Sequence, residues 1–415
     1  MPDGSLARLV VVTDPATRAH RPGAEIWLGV RTPGTEVPER VDAILDVLTA
    51  AGAQVQAPER DPSDLLLRIH SRELLDWLAS AAERWEAGGY VEAVGQDRVV
   101  PYVFPTAAML QGLPLRPAAA THAEAGRFCY DTMTLVGPGT WEAALASAAT
   151  AATAARLALA GRPAYALSRP PGHHATRDGF GGSCYLNNAG VAATAMREAG
   201  LERVAIIDID AHHGNGTQAI FYDRADVFYG SVHVDPGRGW FPHFMGFADE
   251  VGSGAGEGWN RNIPLEPGSG DDAFLAGVAE LCAQASALGV QALVVSLGVD
   301  AAELDPESPL RVSRGGFSAA GRLLAEMGLP TALVQEGGYH LETLGLLVAD
   351  VLGGFRVGRV ARRTPLVRAQ QRSRLCTKCY ICAHADHRRP RPAQSHRDSA
   401  RWRAPRRGLC RDVAG

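Results

Sequence analysis

The stretch Ile206–Gln218, IIDIDAHHGNGTQ, is the part of the sequence from which both the fold and the site are predicted. An apolar run ends there, and five polar side chains follow within eight positions: Asp208, Asp210, His212, His213 and Asn215. Buried carboxylates and imidazoles this close together are unstable unless a cation or a hydrogen-bond partner compensates them. An Asp and a His two residues apart are typical ligands of a divalent metal, so the stretch predicts a metal site.

Apolar runs that alternate with helix-period segments predict the fold class. Most of these runs are continuous, which is typical of strands covered on both faces. The predicted strands are LARLVVVTD (6–14), AYALSRP (164–170), RVAIIDID (203–210), DVFYGSVHVD (226–235), ALVVSLGVD (292–300) and TALVQEGGY (331–339). The predicted helices cover 38–52, 71–88, 140–161, 187–200, 271–289 and 317–328. We therefore expect an α/β fold with one large, mainly parallel sheet between helical layers, and long loops at 89–139 and 235–270.

Polar side chains follow five of these strands at their C-terminal ends, the edge at which parallel sheets bind ligands. They are His173 and His174, Asp208 to His212, His233 and Asp235, Asp300, and Glu336 to Tyr339. Three protein ligands beside one open position describe a catalytic zinc site. Asp210 and His212 with Asp300 would make such a set, although a single Asp at a strand end is more often a cap or turn residue.

Two further motifs reach the same edge. RPPGHHA (169–175) contains two adjacent histidines, which are as compatible with hydrogen-bonded core residues as with a functional pair. Asp208 and Asn215 are acceptors that can orient two imidazoles. Tyr339 follows a Gly pair, and its phenol can either donate to an oxyanion or pack in the core.

Composition and charge set broader limits. The hydrophobic fraction of 46% in 415 residues is ample for a large core. We see no secretory leader and no apolar run long enough for a membrane span. The seven cysteines show no disulfide framework, so we expect a reduced, cytoplasmic setting.

The charge is divided unevenly along the chain. Residues 356–415 contain 17 of the 41 Lys and Arg but three of the 45 acidic residues. We expect a catalytic domain over 1–356 and a basic, disordered tail over 357–415. The tail segment CTKCYICAHADH (376–387) has zinc-like spacing, but its Arg-rich and Pro-rich surroundings favour a tail without a metal site. Nucleic acid would bind this protein through the basic tail alone, and removal of residues 357–415 would abolish such binding.

Together, the motifs resemble the histone deacetylase family of metal-dependent amidohydrolases. The resemblance covers residues 6–356, and FPHFMGFADE (241–250) makes the chain most similar to the bacterial acetylpolyamine amidohydrolases. It implies an arginase-like fold of three layers. The matching motifs, in family order, are RPPGHHA, SCYLNNAG (183–190), DIDAHHGNGTQAIFY (208–222), SVHVDP (231–236), GAGEGWNRNIPL (254–265), SLGVDAAELDP (296–306) and QEGGY (335–339).

The resemblance implies a metal centre. Asp210, His212 and Asp300 correspond to the ligands of one catalytic zinc ion, although iron or cobalt suits the same ligands. A potassium ion is a second family feature, expected near Asp208, Asp210, His212 and Ser231.

The resemblance also implies the catalytic roles. His174 is the general base that takes a proton from water, and His173 is its electrostatic partner or an acid. Asp208 pairs with His173, and Asn215 pairs with His174. Tyr339 donates a hydrogen bond to the substrate carbonyl and its oxyanion.

The implied activity is hydrolysis of acetylated amines, with acetylpolyamines as the expected substrates. A protein acyl-lysine deacetylase is one alternative. A second is a non-catalytic, metal-binding interaction module, but such a protein is expected to have lost a ligand, a histidine or the tyrosine, and all are present.

The substrate channel departs from the family. The residue before the motif's cysteine is usually aromatic there, whereas this chain has Ser183 after Gly182, with Phe241 as the opposite wall. A channel with one aromatic wall is wider, which leaves the acyl chain and the amine undecided. The 89–139 segment corresponds to a region that builds a dimer in the polyamine branch, so we expect a homodimer.

Overall fold

A computed structural model describes residues 6–59 and 61–363 of the chain. The part of the sequence expected to form the basic tail lies outside these residues from Thr364 onward, together with its cysteine motif. The last described helix continues to Arg363, beyond residue 356, at which we expected the catalytic domain to end.

Eight strands form one sheet in which every pairing is parallel. The described residues contain ten strands, of which all but β2 and β3 belong to this sheet: β1 (Val10–Val12), β2 (Glu25–Trp27), β3 (Val30–Thr32), β4 (Gln54–Gln56), β5 (Ala164–Ala166), β6 (Val204–Asp208), β7 (Val227–Val234), β8 (Asn260–Leu265), β9 (Ala292–Leu297) and β10 (Thr331–Gln335). The spatial order is β4-β1-β5-β10-β9-β6-β7-β8, and β2 pairs with β3 in a separate antiparallel hairpin.

Helices cover both faces of the sheet, which confirms the predicted three-layer α/β fold. They are α1 (Glu39–Ala50), α2 (Ser63–Ile69), α3 (Arg72–Ala87), α4 (Tyr90–Val94), α5 (Ala107–Leu110), α6 (Thr121–Phe128), α7 (Thr140–Leu159), α8 (Asn188–Glu198), α9 (Asn215–Phe221), α10 (Asp271–Ala287), α11 (Arg314–Glu326) and α12 (Leu341–Arg363). Within residues 6–59 and 61–363, no helix combines the length and the apolar composition that crossing a membrane requires.

The continuous apolar strands are explained by two hydrophobic cores, one on each face. Successive side chains of a strand point to opposite faces. Ile206 of β6 therefore packs in one core with α3, α7 and α8, while Ile207 packs in the other with α1, α10, α11 and α12. Both residues are fully buried.

The two stretches expected to be long loops contain regular structure that the sequence pattern concealed. The 89–139 segment includes α4, α5 and α6, and the 235–270 segment includes β8. A loop prediction is therefore wrong for these elements. In β8, the polar side chains of Asn260 and Asn262 are buried. Their burial is tolerated because their amides donate to the Gln218 side chain at 3.0 and 2.8 Å. A strand with polar residues on its buried face lacks the hydrophobic pattern by which strands are predicted.

A buried ion network ties the N-terminal segment to the ends of two central strands. The Glu36 carboxylate accepts two hydrogen bonds from Arg169, at 2.8 and 2.9 Å, and one from Arg40 at 3.0 Å. Arg169 also donates to the carbonyls of Thr17 and His20. Glu36, Arg40 and Arg169 are each about 1% exposed. The two buried guanidinium groups therefore depend on the Glu36 carboxylate as their counterion.

We expect Glu36→Gln to destabilise the protein by about 3–5 kcal/mol, because a neutral amide leaves two buried guanidinium groups without a counterion. Chemical denaturation followed by circular dichroism measures the change. Glu198→Gln is the matched control: it breaks an exposed ion pair with Arg68 and should cost less than about 1 kcal/mol. Equal effects of the two substitutions would show that the buried network contributes no more to stability than an exposed ion pair does.

Candidate active site

Four loops at the C-terminal edge of the sheet bring the predicted site residues together. β6 lies between β9 and β7, and its last residue, Asp208, is in register with Ser296 and Ser231. The loop after β6 therefore starts at the same level as the loop after β9, which carries Asp300. The loops after β5 and β10 add the two histidines of the 169–175 motif and Tyr339.

Asp210, His212 and Asp300 form a compact group of donor atoms. One carboxylate oxygen or imidazole nitrogen from each lies within 4.8 Å of the others. Nδ1 of His212 lies 3.1 Å from Oδ2 of Asp300 and 3.4 Å from Oδ1 of Asp210. Glycine is required beside the carboxylates, since a Cβ on Gly298 would lie 2.0 Å from Oδ2 of Asp210, and one on Gly337 would lie 2.2 Å from Oδ2 of Asp300.

The electrostatics of this group favour a bound cation. Burial and the charge of Asp210 raise the pKa of Asp300 to about 7. Burial alone would lower the pKa of His212, but its hydrogen bonds to the two carboxylates raise it well above the ordinary value. Two carboxylates and one imidazole, with His212 also lining an open cavity, match the oxygen and nitrogen ligands of a divalent metal. The residues present therefore fit a metal ion.

The two adjacent histidines have different partners. Nδ1 of His173 lies 3.0 Å from Oδ2 of Asp208, and Nδ1 of His174 lies 2.7 Å from Oδ1 of Asn215. The imidazole ring centres are 4.0 Å apart. Asp208 also accepts a hydrogen bond from the Tyr229 hydroxyl at 3.1 Å.

The pKa values of the two histidines diverge. Burial lowers the pKa of His173, but the carboxylates of Asp210 and Asp208 outweigh burial and raise it to about 10. Burial and the positive charges of His173 and His212 hold the pKa of His174 well below its ordinary value. At neutral pH this places a proton on His173 and leaves His174 as a neutral base.

Tyr339 lines the cavity together with His174 and His212. Its backbone N–H donates to Oδ2 of Asp305 at 2.7 Å, and the guanidinium of Arg40 lies 4.7 Å from the centre of its ring. Arg40 also donates to the carbonyls of Glu336 and Gly338, at 2.6 and 2.7 Å. The buried ion network thus holds the Tyr339 loop from behind.

Two residues that support the site, Arg40 and Asp305, were not singled out from the sequence, and Glu336 was noted at its strand end without a role. The Glu336 carboxylate accepts the backbone N–H groups of Gly172 and His173, at 2.7 and 3.1 Å, and burial raises its pKa to about 7. Glu336 directly follows β10, and this position after an apolar run is the signal that placed it at the edge of the sheet. Arg40 and Asp305 carry no comparable sequence signal, because their partners lie far along the chain.

Three polar residues noted in the sequence do not line the cavity. Nε2 of His213 is bonded to Oε1 of Gln218 at 3.0 Å. His233 bonds the Ser231 hydroxyl and the Gly246 carbonyl, both at 2.8 Å. Asp235 accepts the Gly237 N–H within a turn. Local structure satisfies His233 and Asp235, whereas Nδ1 of His213 is buried without a hydrogen-bond partner among the described residues.

Comparisons with known proteins agree with this geometry. The histone deacetylase domain matches residues 34–355. The acetylpolyamine amidohydrolase of Mycoplana ramosa is 40% identical over 332 residues, which are 80% of this chain and 94% of that protein. Acetylpolyamine amidohydrolase 1 of Pseudomonas aeruginosa is 41% identical over 340 residues, which are 81% and 96% of the two chains.

A solved structure also shares the fold. The crystal structure of acetylpolyamine aminohydrolase from Burkholderia pseudomallei has a TM-score of 0.78 and 37% sequence identity. The alignment covers 84% of this chain and 99% of that structure. The chain therefore belongs to the histone deacetylase family of metal-dependent amide hydrolases and is a deacetylase.

Proposed function

We propose that the protein is a zinc-dependent amidohydrolase that removes the acetyl group from acetylated polyamines. The observation that carries this proposal is the meeting of three groups at one cavity: a three-residue metal-donor cluster, a neutral histidine base and a tyrosine hydroxyl. The names of the two relatives support the polyamine as the amine component.

Asp210, His212 and Asp300 would hold the metal ion. When bound there, zinc supplies a Lewis acid that polarises the amide carbonyl and lowers the pKa of water. Iron or cobalt would suit the same donors.

His174 and His173 divide the proton chemistry. Because Nδ1 of His174 is engaged by Asn215, Nε2 is free to take a proton from the attacking water. The water oxygen bonds to the carbonyl carbon, the C–N bond breaks, and this proton passes to the leaving nitrogen. His173, bonded to Asp208, keeps its own proton and contributes positive charge beside the reacting group.

Tyr339 acts on the carbonyl oxygen of the substrate. Its hydroxyl would donate a hydrogen bond that strengthens as negative charge develops on that oxygen. Arg40 and Asp305 fix the loop on both sides of the tyrosine, so the donor is oriented before the substrate arrives.

Gly182, Ser183 and Phe241 would form the walls around the acetamide. The Phe241 ring lies edge-on to His174, with 4.8 Å between ring centres. A Cβ on Gly182 would lie 2.4 Å from Cδ2 of His174 and 2.9 Å from Phe241, so a glycine keeps the approach to the base open. Ser183 adds no ring on its side, which favours longer acyl-lysine substrates as a second candidate.

Two carboxylates at the same cavity support a cationic substrate. Glu25 and Glu307 both line it, and the Thr35 hydroxyl donates to Oε1 of Glu307 at 2.8 Å. Burial raises the pKa of Glu25, and repulsion by the negative charge of Glu307 raises it further, to about 7. A second ammonium group of a polyamine would relieve this repulsion.

We expect the purified protein to release acetate from acetylpolyamines, and to lose this activity on treatment with a metal chelator. The assay compares acetylpolyamines with acetyl-lysine peptides and longer acyl-lysine peptides. Preference for the longer acyl-lysines would favour the second candidate. Absence of turnover on every substrate by the zinc-loaded protein would contradict the hydrolase and favour the non-catalytic interaction module.

Tyr339→Phe should lower kcat by about 10²–10³-fold with little change in KM, because the lost donor acts mainly in the transition state. Steady-state kinetics on the best acetylated amine measures the effect. The matched control is Tyr185→Phe, which removes a buried hydroxyl that donates to the Leu135 carbonyl instead. The role given to Tyr339 is incorrect if both variants retain full turnover.

The double substitution Glu25→Gln with Glu307→Gln should raise KM for an acetylpolyamine by about tenfold, since charged hydrogen bonds are lost. For a neutral acetamide without a second amine, KM should stay unchanged. This substrate pair is its own control, and an equal rise in KM for both substrates would argue against an ammonium subsite.

A further inference from the structure

Tyr130 lies behind the histidine base and contacts both members of the His174–Asn215 pair. Its hydroxyl donates to the backbone carbonyl of His174 at 2.8 Å. The same oxygen accepts a hydrogen bond from Nδ2 of Asn215 at 3.4 Å. Sequence reasoning did not single out Tyr130, and the reaction steps above do not use it.

These two contacts restrict which way the Asn215 amide faces. A tyrosine hydroxyl has one proton, and here it donates that proton in its hydrogen bond to the His174 carbonyl. Only lone pairs remain toward Asn215, so the amide must present its N–H₂ group to Tyr130. Within residues 6–59 and 61–363, no other acceptor bonds this amide nitrogen.

The direction of the amide in turn determines the tautomer of His174. With Nδ2 toward Tyr130, the carbonyl oxygen Oδ1 faces Nδ1 of His174, at 2.7 Å. An oxygen acceptor requires a proton on Nδ1, which leaves Nε2 bare and able to accept a proton. A flipped amide would present N–H₂ to Nδ1, and the proton would then reside on Nε2, where the base cannot act.

We propose that Tyr130 is a positioning residue that fixes the Asn215 amide and thereby keeps His174 in the tautomer a general base needs. The inference rests on the proposed function, because it assigns a purpose to a bare Nε2. Tyr130 is not among the residues that line the cavity, and in this role it acts through Asn215.

The surroundings hold Tyr130 firmly enough for this task. Its backbone N–H donates to the carbonyl of Phe180 at 3.1 Å. The ring lies directly on the backbone of Gly181, where a Cβ would come within 2.2 Å of Cε2. Asp131, the next residue, accepts the backbone N–H of Gly182 at 2.6 Å. One segment therefore supports both the base and the channel wall.

The direct test is ¹⁵N NMR of the zinc-loaded, full-length protein with labelled histidines. The His174 signals are those that disappear in His174→Ala. In the wild type we expect a protonated Nδ1 and a bare Nε2. In Tyr130→Phe both ring shifts should move toward a mixture of tautomers, and unchanged His174 shifts would overturn the proposal.

Kinetics provide a second readout. Tyr130→Phe should lower kcat by about threefold to tenfold, as expected for the loss of one hydrogen bond, without raising KM. Tyr185→Phe, the control of the same size, should retain wild-type kcat.

The sharpest comparison places Tyr130→Phe in an Asn215→Asp background. A carboxylate accepts from Nδ1 of His174 in either orientation, so the tyrosine should no longer matter there, and its removal should change kcat by less than about twofold. The same loss of kcat in both backgrounds would overturn the proposal. If the wild type hydrolyses no acetylated amine, the proposed function fails, whereas the tautomer measured by NMR still decides the role of Tyr130.

Discussion

Two carboxylates and one imidazole lie together in a single group at the edge of the sheet. Asp210 and Asp300 are fully buried, and both lie close to His212. Such a group is stable when a cation neutralises it and when every remaining oxygen is hydrogen-bonded. The backbone meets the second condition: Gly337 donates to Asp210, and Ala211 donates to Asp300. The parallel order of β9 and β6 makes the group possible, because it brings two distant loops to one edge.

Two shells of charge surround this group and have different purposes. The inner shell separates the pKa values of the two histidines, so that one holds a proton and its neighbour remains a base. The outer shell is the network of Glu36, Arg40 and Arg169, which holds the backbone of the Tyr339 loop. The N-terminal segment, which contributes Glu25 to the cavity but no reacting group, is thereby part of the geometry of the site.

Much of the fold could be predicted from the sequence, because buried parallel strands are continuous apolar runs that end in polar residues. Asp208 to His212 and Asp300 were identified in this way. β8 was not, since its buried asparagines break the pattern. Arg40, Tyr130 and Glu307 were missed for another reason: each acts on a partner that is distant along the chain. Such contacts are decided by how loops meet, and local sequence patterns do not encode that meeting.

We propose that Asp210, His212 and Asp300 hold one metal ion on which activity depends. Elemental mass spectrometry of the zinc-loaded, full-length protein tests it most directly, with Asp300→Ala prepared in the same way and its fold checked by circular dichroism. We expect the variant to bind one zinc ion per chain fewer than the wild type. Equal zinc content in the two proteins, with the fold intact, would contradict it.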